Sequence, residues 1–419
     1  MKTHNSFEER FEFSGTAKTW SLIAIVIGVV AIIAGFLFGG EHVQRTYSNL
    51  LLMSYYFVCA CIAGVFFCAY QYVAQAAWSA SFIRIPQAFA KVLPIASIIL
   101  LLVVTAGLLQ HHEIEEGGKK EVVPYLYAHW AAHGLTDPKS ENYDAIIAGK
   151  SAFLNVPFFY GFLVVLLAAY SYFGWALAKA SENEDEVGGM SNYNKSFKLS
   201  AIFLTIFGFT FPIFAFGTIM SLEAHWFSTM FGWYNLAAMH VSGLAIIALT
   251  LILLIKKGYF TWVSENHLHD LGKLIFGFSI FWTYVWFAQF FLTWYANMPE
   301  ESVYFYRRWE PEYKWLFWFN IVINFVAPLL LLMSRDAKRM MNRMMWTCII
   351  LILGHWLDYY LMIMPGTVEE HRGFGVEEIG IFLGFAGLFT FLMLSRLSKV
   401  NSLVPKKHPF LDESLHHHI

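Results

Sequence analysis

Three ionisable residues lie within long apolar stretches, and two of them have a spacing that favours proton chemistry. His355 and Asp358 are three residues apart, so they share one face if the segment is helical. In an apolar setting a carboxyl group and an imidazole approach similar proton affinities and can share a proton. The pair is interpreted as a segment of a proton relay, as a purely structural pair, or as ligands. His240 lies alone in another apolar stretch.

Further ionisable residues lie at the ends of apolar stretches. Glu223 and His225 belong to the segment 221–228, which contains no lysine or arginine, so Glu223 is expected to have no local partner. Such a carboxylate either receives protons or is a solvated or helix-capping acid. His111 and His112 end another stretch on the same predicted side.

The opposite side has its own group in the segment that begins at His267. Asp270 and Lys273 share a helix face by i+3 spacing, and His269 and Lys273 do so by i+4 spacing. We interpret this group as an entry point for protons, although Asp270 also suits the positive end of a helix. Polar residues that are candidates for holding water between the two ends are Gln71, Gln75, Tyr284, Gln289, Tyr359 and Tyr360. The candidates for a proton path are Glu223, His225, His240, His269, Asp270, Lys273, His355, Asp358 and Tyr359.

The composition identifies the setting of these residues. Of the 419 residues 58% are apolar and 14% are charged, with a mean hydropathy of +0.52, whereas soluble globular chains carry about 25% charged residues. This excludes a soluble enzyme, a disordered chain and a fibrous rod, and the net charge of −2 leaves no basic field for nucleic acid. The four cysteines lack metal or disulfide spacing and are predicted to be buried apolar residues. No motif predicts a catalytic or metal site.

Ten apolar tracts are long enough to cross a membrane as helices, which takes about 20 residues each. The tracts are residues 19–38, 50–78, 92–109, 157–178, 197–220, 229–255, 271–295, 315–333, 344–364 and 378–395. The charge-free region 46–83 has no proline or Asn-Gly turn, so we predict one long tilted helix rather than a hairpin. The predicted fold class is therefore an all-α membrane protein. Glycines predicted to allow close helix packing are Gly28, Gly35, Gly64, Gly107, Gly208 and Gly243.

The distribution of basic residues predicts the orientation in the membrane. Most of the 28 lysines and arginines lie at the termini and in the loops after even-numbered tracts, so both termini are predicted to be cytoplasmic. The long loops 110–156 and 296–314 then lie outside; they are acidic and aromatic, typical either of a surface that docks a partner or of a solvated cap. The first tract is predicted to be a permanent helix rather than a cleaved signal peptide, and residues 416–418 a disordered tail.

Several segments resemble a known family. They are MSLEAHWFSTMFG at residues 220–232, HLHDLGKLIFGF at 267–278, continuing through Gln289 to WYANMPEE at 294–301, and LDYYLMIMP at 357–365. These segments resemble the ActF-type subunit of bacterial alternative complex III, which is an NrfD-like family. The likeness covers roughly the C-terminal half of the chain.

The resemblance implies two four-helix bundles, tracts 2–5 and 6–9, with tracts 1 and 10 outside them. The corresponding divisions are a tail and peripheral helix at 1–45, a first bundle at 46–228 with the outer loop 110–156, a second bundle at 229–366, and a peripheral helix and cytoplasmic tail at 367–419. The implied role is a scaffold and proton path within a quinol-oxidising respiratory complex of the bacterial inner membrane.

The resemblance also implies which cofactors and partners to expect. The chain is expected to hold no redox cofactor of its own, while haem c and iron–sulfur clusters belong to partner subunits. Quinol is expected to bind mainly to a paralogous NrfD-like subunit, and electrons pass to a cytochrome c or a terminal oxidase.

One feature departs from the quinol-oxidising relatives, which use a buried histidine with an acidic partner in the first bundle. Tracts 2, 3 and 4 contain no mid-membrane His, Asp or Glu, which favours a non-quinol role. Three alternatives stay open. The first is a second quinol-binding site at His111, His112 and Glu223. The second is a b-haem subunit in which His240 and His355 ligate the haem. The third is a secondary transporter with helix breaks at Pro212 and Pro328.

Overall fold

The computed structural model of the chain describes residues 10–116, 119–368 and 373–416. Within these residues ten helices are long and apolar enough to cross a membrane, which confirms the predicted all-α membrane fold. Most of them are longer than the apolar tracts, because polar residues continue the helix beyond the apolar region. They are numbered here as membrane helices 1 to 10: Gly15–Phe38, Val43–Val73, Arg84–Leu109, Val156–Val187, Met190–Thr218, Met230–Lys256, Glu265–Ala296, Pro311–Leu332, Met341–Gly366 and Val376–Leu397.

Shorter elements connect the membrane helices. Strands β1 (His111–Glu116) and β2 (Lys119–Pro124) pair antiparallel within the long loop 110–156. No strand is predicted in this loop from its sequence, so the strand pair departs from the all-helical expectation. The other short elements are the helices Ala128–Ala131, Ala145–Lys150, Pro299–Trp309, Arg335–Arg339 and Leu411–Leu415, and the 3₁₀ turns Gly40–His42, Ala77–Phe82, Met220–Glu223 and Met364–Gly366.

The membrane helices form two four-helix bundles. In the first bundle helix 2 packs on helices 3 and 5, and helix 4 packs on the same two. In the second bundle helix 6 packs on helices 7 and 9, and helix 8 packs on the same two. Helices 2 and 6 join the bundles, while helices 1 and 10 pack on each other and against helices 2 and 3. This is the arrangement of helices that the family resemblance implies.

Helices 2, 6 and 9 are mostly buried inside the protein, whereas helices 1, 4, 5, 7 and 8 leave many apolar side chains exposed. The exposed apolar side chains suit contact with lipid tails. Polar residues of the three central helices are instead surrounded by protein, where hydrogen-bond donors from neighbouring helices can reach them. The central helices are therefore the place where mid-membrane ionisable groups are tolerated.

Helix 2 is a single helix, as predicted for the charge-free region. It ends at Val73, earlier than the predicted end at Trp78. Gln75 adopts a positive φ of 51° and the 3₁₀ turn Ala77–Phe82 follows. The break is local backbone geometry that an apolar run does not reveal.

The chain after helix 10 packs across the predicted cytoplasmic end of both bundles. The Ser414 hydroxyl donates to the Trp78 carbonyl at 2.9 Å and accepts from the Ser81 N–H at 3.2 Å, both in the first bundle. The Ser414 carbonyl lies 3.0 Å from Nε2 of His267, which belongs to the second bundle. We call residues 402–416 the C-terminal segment; it ties the ends of the two bundles together.

The predicted tails fall partly outside the described residues. His416 follows the short helix Leu411–Leu415 as its C-cap, and its N–H donates to the Asp412 carbonyl at 3.0 Å. Residues 417–418 of the predicted disordered tail lie outside the described residues, as do residues 1–9 of the N-terminal tail.

Glycines set the closest approach between helices. A Cβ on Gly384 of helix 10 would lie 2.6 Å from the Gly28 Cα of helix 1, and a Cβ on Gly243 would lie 2.1 Å from the Ala63 Cβ between the bundles. Close contacts between helices also occur at Gly35 and Gly64, as predicted, whereas Gly107 meets the side chain of Leu126 in the loop 110–156. The prediction for Gly208 is wrong, since a Cβ there meets no atom within 4 Å of those described.

The contact between helices 1 and 10 can be tested with Gly384→Ala. The added methyl group meets backbone rather than a flexible side chain, so the helices must separate, and we expect a loss of about 1–3 kcal/mol in the free energy of unfolding. The measurement is denaturant unfolding of the purified protein in detergent. Gly208→Ala is the matched control and is expected to be neutral; equal behaviour of the two variants would contradict the packing argument.

Candidate functional site

Asp358 on helix 9 is fully buried and is met by donors from the other three helices of the second bundle. Its Oδ1 accepts hydrogen bonds from the Tyr234 hydroxyl of helix 6 and from Asn320 Nδ2 of helix 8, the latter at 2.8 Å. Its Oδ2 accepts from Trp282 Nε1 of helix 7 at 2.9 Å. A carboxyl group with three donors is well satisfied. We call Asp358, Tyr234, Trp282 and Asn320 the Asp358 cluster.

His355 lies one helical turn from Asp358, on the same face, as the i+3 spacing predicts. Its Nδ1 is 3.6 Å from the Asp358 Oδ2, and both side chains have an exposed fraction of 0%. This distance is too long for a hydrogen bond, and neither ring nitrogen has a partner within the part of the chain that the structure describes. The carboxyl group is therefore held by Tyr234, Trp282 and Asn320 rather than by His355.

The backbone of helix 8 changes its winding beside this cluster. Residues Val322–Val326 are π-helical, and the Ala327 N–H donates to the Val322 carbonyl. Pro328 follows, and because a proline has no N–H, an ordinary α-helical bond to residue 324 cannot form. π-turns of this kind often occur at functional sites.

The π-turn places two asparagines in a chain of hydrogen bonds. Asn324 Nδ2 donates to Asn320 Oδ1 at 2.7 Å and to the Gly354 carbonyl at 3.0 Å. Because the Asn320 Oδ1 accepts this hydrogen bond from Asn324, the NH₂ group on the other side of the Asn320 amide faces Asp358. A Cβ on Gly354 would lie 2.3 Å from Asn324 Oδ1, so the approach of helix 9 to helix 8 depends on a glycine at this position.

Glu223 forms a buried ion pair at the predicted outer end of the bundles. Arg308 Nη2 donates to Glu223 Oε1 at 2.6 Å, and the exposed fractions of the side chains are 2% and 7%. Arg308 Nε and Nη1 donate to the carbonyls of Leu361 and Tyr304 at 2.9 and 2.6 Å. Glu223 has no basic partner within its own segment, as expected, but the interpretation of an unpaired carboxylate is wrong, because its partner is 85 residues away in the helix Pro299–Trp309.

Arg308 is held as a cation by its surroundings. Burial acts to lower the pKa of its guanidinium, but the charge of Glu223 and the adjacent Tyr304 outweigh burial and raise this pKa. The guanidinium carbon also lies 3.3 Å from the centroid of the Tyr304 ring, a cation–π contact. Arg308 therefore supplies a fixed positive charge and does not exchange protons.

A small cavity of about 20 Å³ lies between the ion pair and the Asp358 cluster. Its polar lining comes from Tyr304 and Arg308 on one side and from Tyr234 and Asn320 on the other, together with Gln289. The Gln289 Oε1 has no hydrogen-bond partner among the described residues. A cavity of this volume accommodates one water molecule. The two buried acids are therefore linked through polar groups that line one space.

His240 lies apart from this arrangement. Its ring is enclosed by the rings of Phe278, Phe66 and Tyr70, with centroid distances of 4.3, 5.0 and 5.4 Å. Neither nitrogen has a hydrogen-bond partner in the described chain. Aromatic side chains fill the space around this imidazole, which is typical of a packed core residue.

Tyr359 lies next to Asp358 in the sequence but faces the interface with the first bundle. Its ring contacts the rings of Tyr56 and Tyr55, with centroid distances of 5.3 and 5.6 Å. It extends the polar groups of the site toward helix 2.

The remaining outer candidates do not converge on Glu223. His225 Nε2 lies 2.6 Å from Asp144 Oδ2, and Asp144 also caps the helix Ala145–Lys150. Partial burial alone would raise the pKa of Asp144, but the bonds from His225 and the backbone lower it overall. His112 stacks on Tyr125 at 4.5 Å, and burial lowers its pKa.

His111 lies beside His112 on β1, where its Nδ1 is 3.0 Å from the Leu109 carbonyl. The contacts described for His111, His112 and Glu223 therefore involve three different sets of partners. The alternative quinol set stays a prediction that these contacts do not support.

The inner candidates lie together at the start of helix 7. Asp270 and Lys273 form the ion pair that their spacing predicts, and His269 and Asp270 are mostly buried. His267 is not among the predicted candidates, yet its Nδ1 takes part in the capping box with Ser264. This group is positioned by helix capping at the predicted cytoplasmic end.

The described residues contain no group of three or more His, Cys, Asp or Glu side chains that suits a metal ion. All four cysteines are buried and free, as predicted. Sequence reasoning missed Arg308, Tyr234, Trp282 and Asn320. The first of these was visible only as a basic residue in an outer loop, and the others as ordinary polar or aromatic residues of apolar tracts.

The buried ion pair can be tested with Arg308→Met. The variant leaves Glu223 buried without its counter-charge, so we expect the free energy of unfolding to fall by about 3–5 kcal/mol. The double variant Arg308→Met/Glu223→Met is expected to recover part of the loss, as measured by unfolding in detergent. Arg307→Met, at the neighbouring half-buried position, is the control; a loss no larger at Arg308 than at Arg307 would refute the role of the pair.

Comparisons with known proteins do not identify the chain. No protein-family model matches it, and no curated protein matches it.

Proposed function

We propose that this chain is an integral, non-redox subunit of a quinol-oxidising respiratory complex of the alternative complex III type, in the bacterial inner membrane. In this proposal it acts as a scaffold and conducts protons through its second bundle. The ten-helix fold with two four-helix bundles is consistent with the proposal, as are the four segments that resemble the ActF-type family.

The observation that carries the proposal is the line of polar groups from Asp358 to Glu223. Asp358 is a protonatable group at the centre of the bundle, and the Tyr234 hydroxyl donates to it. Tyr234 also lines the water-sized cavity, whose far wall contains Arg308, the partner of Glu223. A hydroxyl that both donates and accepts can pass a proton from a water molecule to a carboxylate. Tyr234 and a water molecule in the cavity thus supply a route to Asp358, and transfer between that water and Glu223, past the fixed charge of Arg308, is the remaining step of the proposal.

Each ionisable group along this line has a different role in the proposed transfer. Asp358 and Glu223 are the carboxyl groups that take up and release the proton, and Tyr234 transmits it. Arg308 stays charged and stabilises the anionic form of Glu223. His355, with no hydrogen-bond partner in the described chain and 3.6 Å from Asp358, is placed to receive the proton on the inner side.

The scaffold role concerns the outer surface. Large aromatic side chains are exposed around the end of helix 7 and the helix Pro299–Trp309, including Trp294, Tyr295 and Tyr306. Aromatic residues are enriched in protein interfaces and in the interfacial belts of membrane proteins. In the proposed complex this surface faces subunits that carry haem c and iron–sulfur clusters, with both termini of this chain on the cytoplasmic side.

Proton conduction can be tested with Asp358→Asn in the complex reconstituted into liposomes. The amide cannot take up a proton as a carboxylate does, so we expect quinol oxidation to continue while the ratio of protons moved to electrons transferred falls. Asp336→Asn, at an exposed aspartate on the short helix Arg335–Arg339, is the control. An unchanged ratio in Asp358→Asn would reject the path.

A second variant keeps the test informative if the complex with Asp358→Asn fails to assemble. The new amide faces three donors, which costs about 1–3 kcal/mol, whereas Tyr234→Phe removes a single donor. We expect Tyr234→Phe to assemble and to lower the same ratio. Retention of the full ratio in an assembled Tyr234→Phe complex would remove Tyr234 from the path.

Membership of a complex can be tested by isolating the chain from mild detergent through an affinity tag. We expect multihaem and iron–sulfur subunits to be isolated with it, detected by haem absorbance and mass spectrometry. A lone chain that binds a small substrate would favour a transporter, and a Soret band from the isolated chain would favour a b-haem subunit.

A further inference from the structure

A second buried polar cluster lies in the first bundle, at the end that the charge distribution predicts to be cytoplasmic. Arg84 at the start of helix 3 is fully buried. Its Nη1 donates to Gln87 Oε1 at 3.0 Å and to Ser181 Oγ at 3.3 Å, and its Nη2 donates to the Ser181 carbonyl at 3.3 Å. The same nitrogen forms an ion pair with Asp185. The charge of Arg84 is therefore matched by that of Asp185.

Glu184 lies beside this pair on helix 4 and has a different environment. Its exposed fraction is 0%, and neither carboxyl oxygen has a hydrogen-bond partner among the residues described. Arg84 Nε and Gln87 Nε2 are likewise buried without hydrogen-bond partners in the described chain. The titratable and charged groups that face the cluster from the packed elements are Tyr72, Arg84, Asp185, Tyr193, Lys406 and His408.

Among the buried charges of this cluster, those of Arg84 and Asp185 already balance, so a neutral Glu184 leaves no buried net charge. One buried guanidinium faces two carboxyl groups, and Asp185 is the one that is ion-paired with it. Lys406 is exposed at the rim beside Asp185. Burial and the charge of Arg84 lower the pKa of His408 to about 4, so His408 carries no charge at neutral pH. An ionised carboxylate that is buried without donors is costly, whereas a protonated carboxyl group costs far less.

A small cavity gives this region room for water. Its volume is about 10 Å³, close to the smallest space that holds one water molecule. Helix 2 contributes Gln71 and Tyr72 to its lining, helix 5 contributes Tyr193, and the C-terminal segment contributes His408. The C-terminal segment thus covers the space that adjoins the cluster.

We propose that Glu184 is a proton-holding site, a neutral carboxylic acid that exchanges its proton with water beneath the C-terminal segment. In this exchange one O–H bond of the carboxyl group breaks and the proton moves to water, leaving a carboxylate beside Arg84; no other bond changes. The role of Glu184 as the cytoplasmic end of the proton path rests on the proposed function. The presence of a proton on Glu184 does not depend on that function.

Infrared spectroscopy of the full chain in detergent at neutral pH tests the site directly. A protonated carboxyl group has a C=O stretching band above the amide I band, and this band shifts in D₂O. We expect the band to be weaker in Glu184→Gln than in the unaltered protein, and to be unchanged in Glu186→Gln, which alters an exposed glutamate two residues away. Identical spectra for the unaltered protein and Glu184→Gln would overturn the proposal.

Thermal unfolding of the same variants gives a second readout. Because the substitution replaces a neutral acid by a neutral amide of the same shape, Glu184→Gln is expected to keep its unfolding temperature. A clear fall in that temperature, with a carboxylate band lost instead of the acid band, would assign Glu184 as an ionised partner of Arg84 and reject the proposal.

The two proposals fail separately. If Glu184→Gln loses the acid band but the complex moves no protons, the proton-holding site is supported and the proposed function is rejected. If the complex moves protons in a way that depends on Asp358 but Glu184→Gln loses no acid band, the proposed function is supported and the proton-holding site is rejected.

Discussion

A carboxyl group placed in the middle of an apolar helix bundle must be met by hydrogen-bond donors, and this requirement sets the geometry of the second bundle. An isolated charge in hydrocarbon costs about 3 kcal/mol or more. Here helices 6, 7 and 8 each direct one donor at Asp358 of helix 9. Each donor fixes the rotation of its helix about its axis. Four helices are thus oriented by a single side chain, which apolar packing alone specifies less sharply.

The irregular backbone of helix 8 follows from the same requirement. Pro328 prevents a regular α-helical bond at residue 324, and the π-turn before it brings Asn324 into contact with Asn320 and with the Gly354 carbonyl. Asn320 is thereby oriented with its NH₂ toward Asp358. A proline in a membrane helix is often read as the break of a transporter site, but this one positions a donor for an acid in the adjacent helix.

The sequence predicted the ten helices because membrane thickness requires long apolar runs, and it predicted the shared face of His355 and Asp358 because helix periodicity is local. It did not predict the Arg308 partner of Glu223, since a contact across 85 residues depends on how helices assemble. The paired strands had a usable signal: Gly117 and Gly118 separate two runs in which charged and apolar residues partly alternate. A search for long apolar tracts does not detect such a signal.

A purely structural role explains only part of the site. Groups that merely lock helices together are expected to be fully hydrogen-bonded, as Asp358 and Arg308 are. Around them, among the residues described, both nitrogens of His355 and the Gln289 oxygen have no partner. Each buried polar atom left unpaired costs about 1–3 kcal/mol, and an apolar side chain of similar size would avoid that cost. In a neutral His355 one ring nitrogen is an acceptor, and an unpaired acceptor beside Asp358 suits the proposed proton transfer, because a proton moves only toward an atom that is free to accept it.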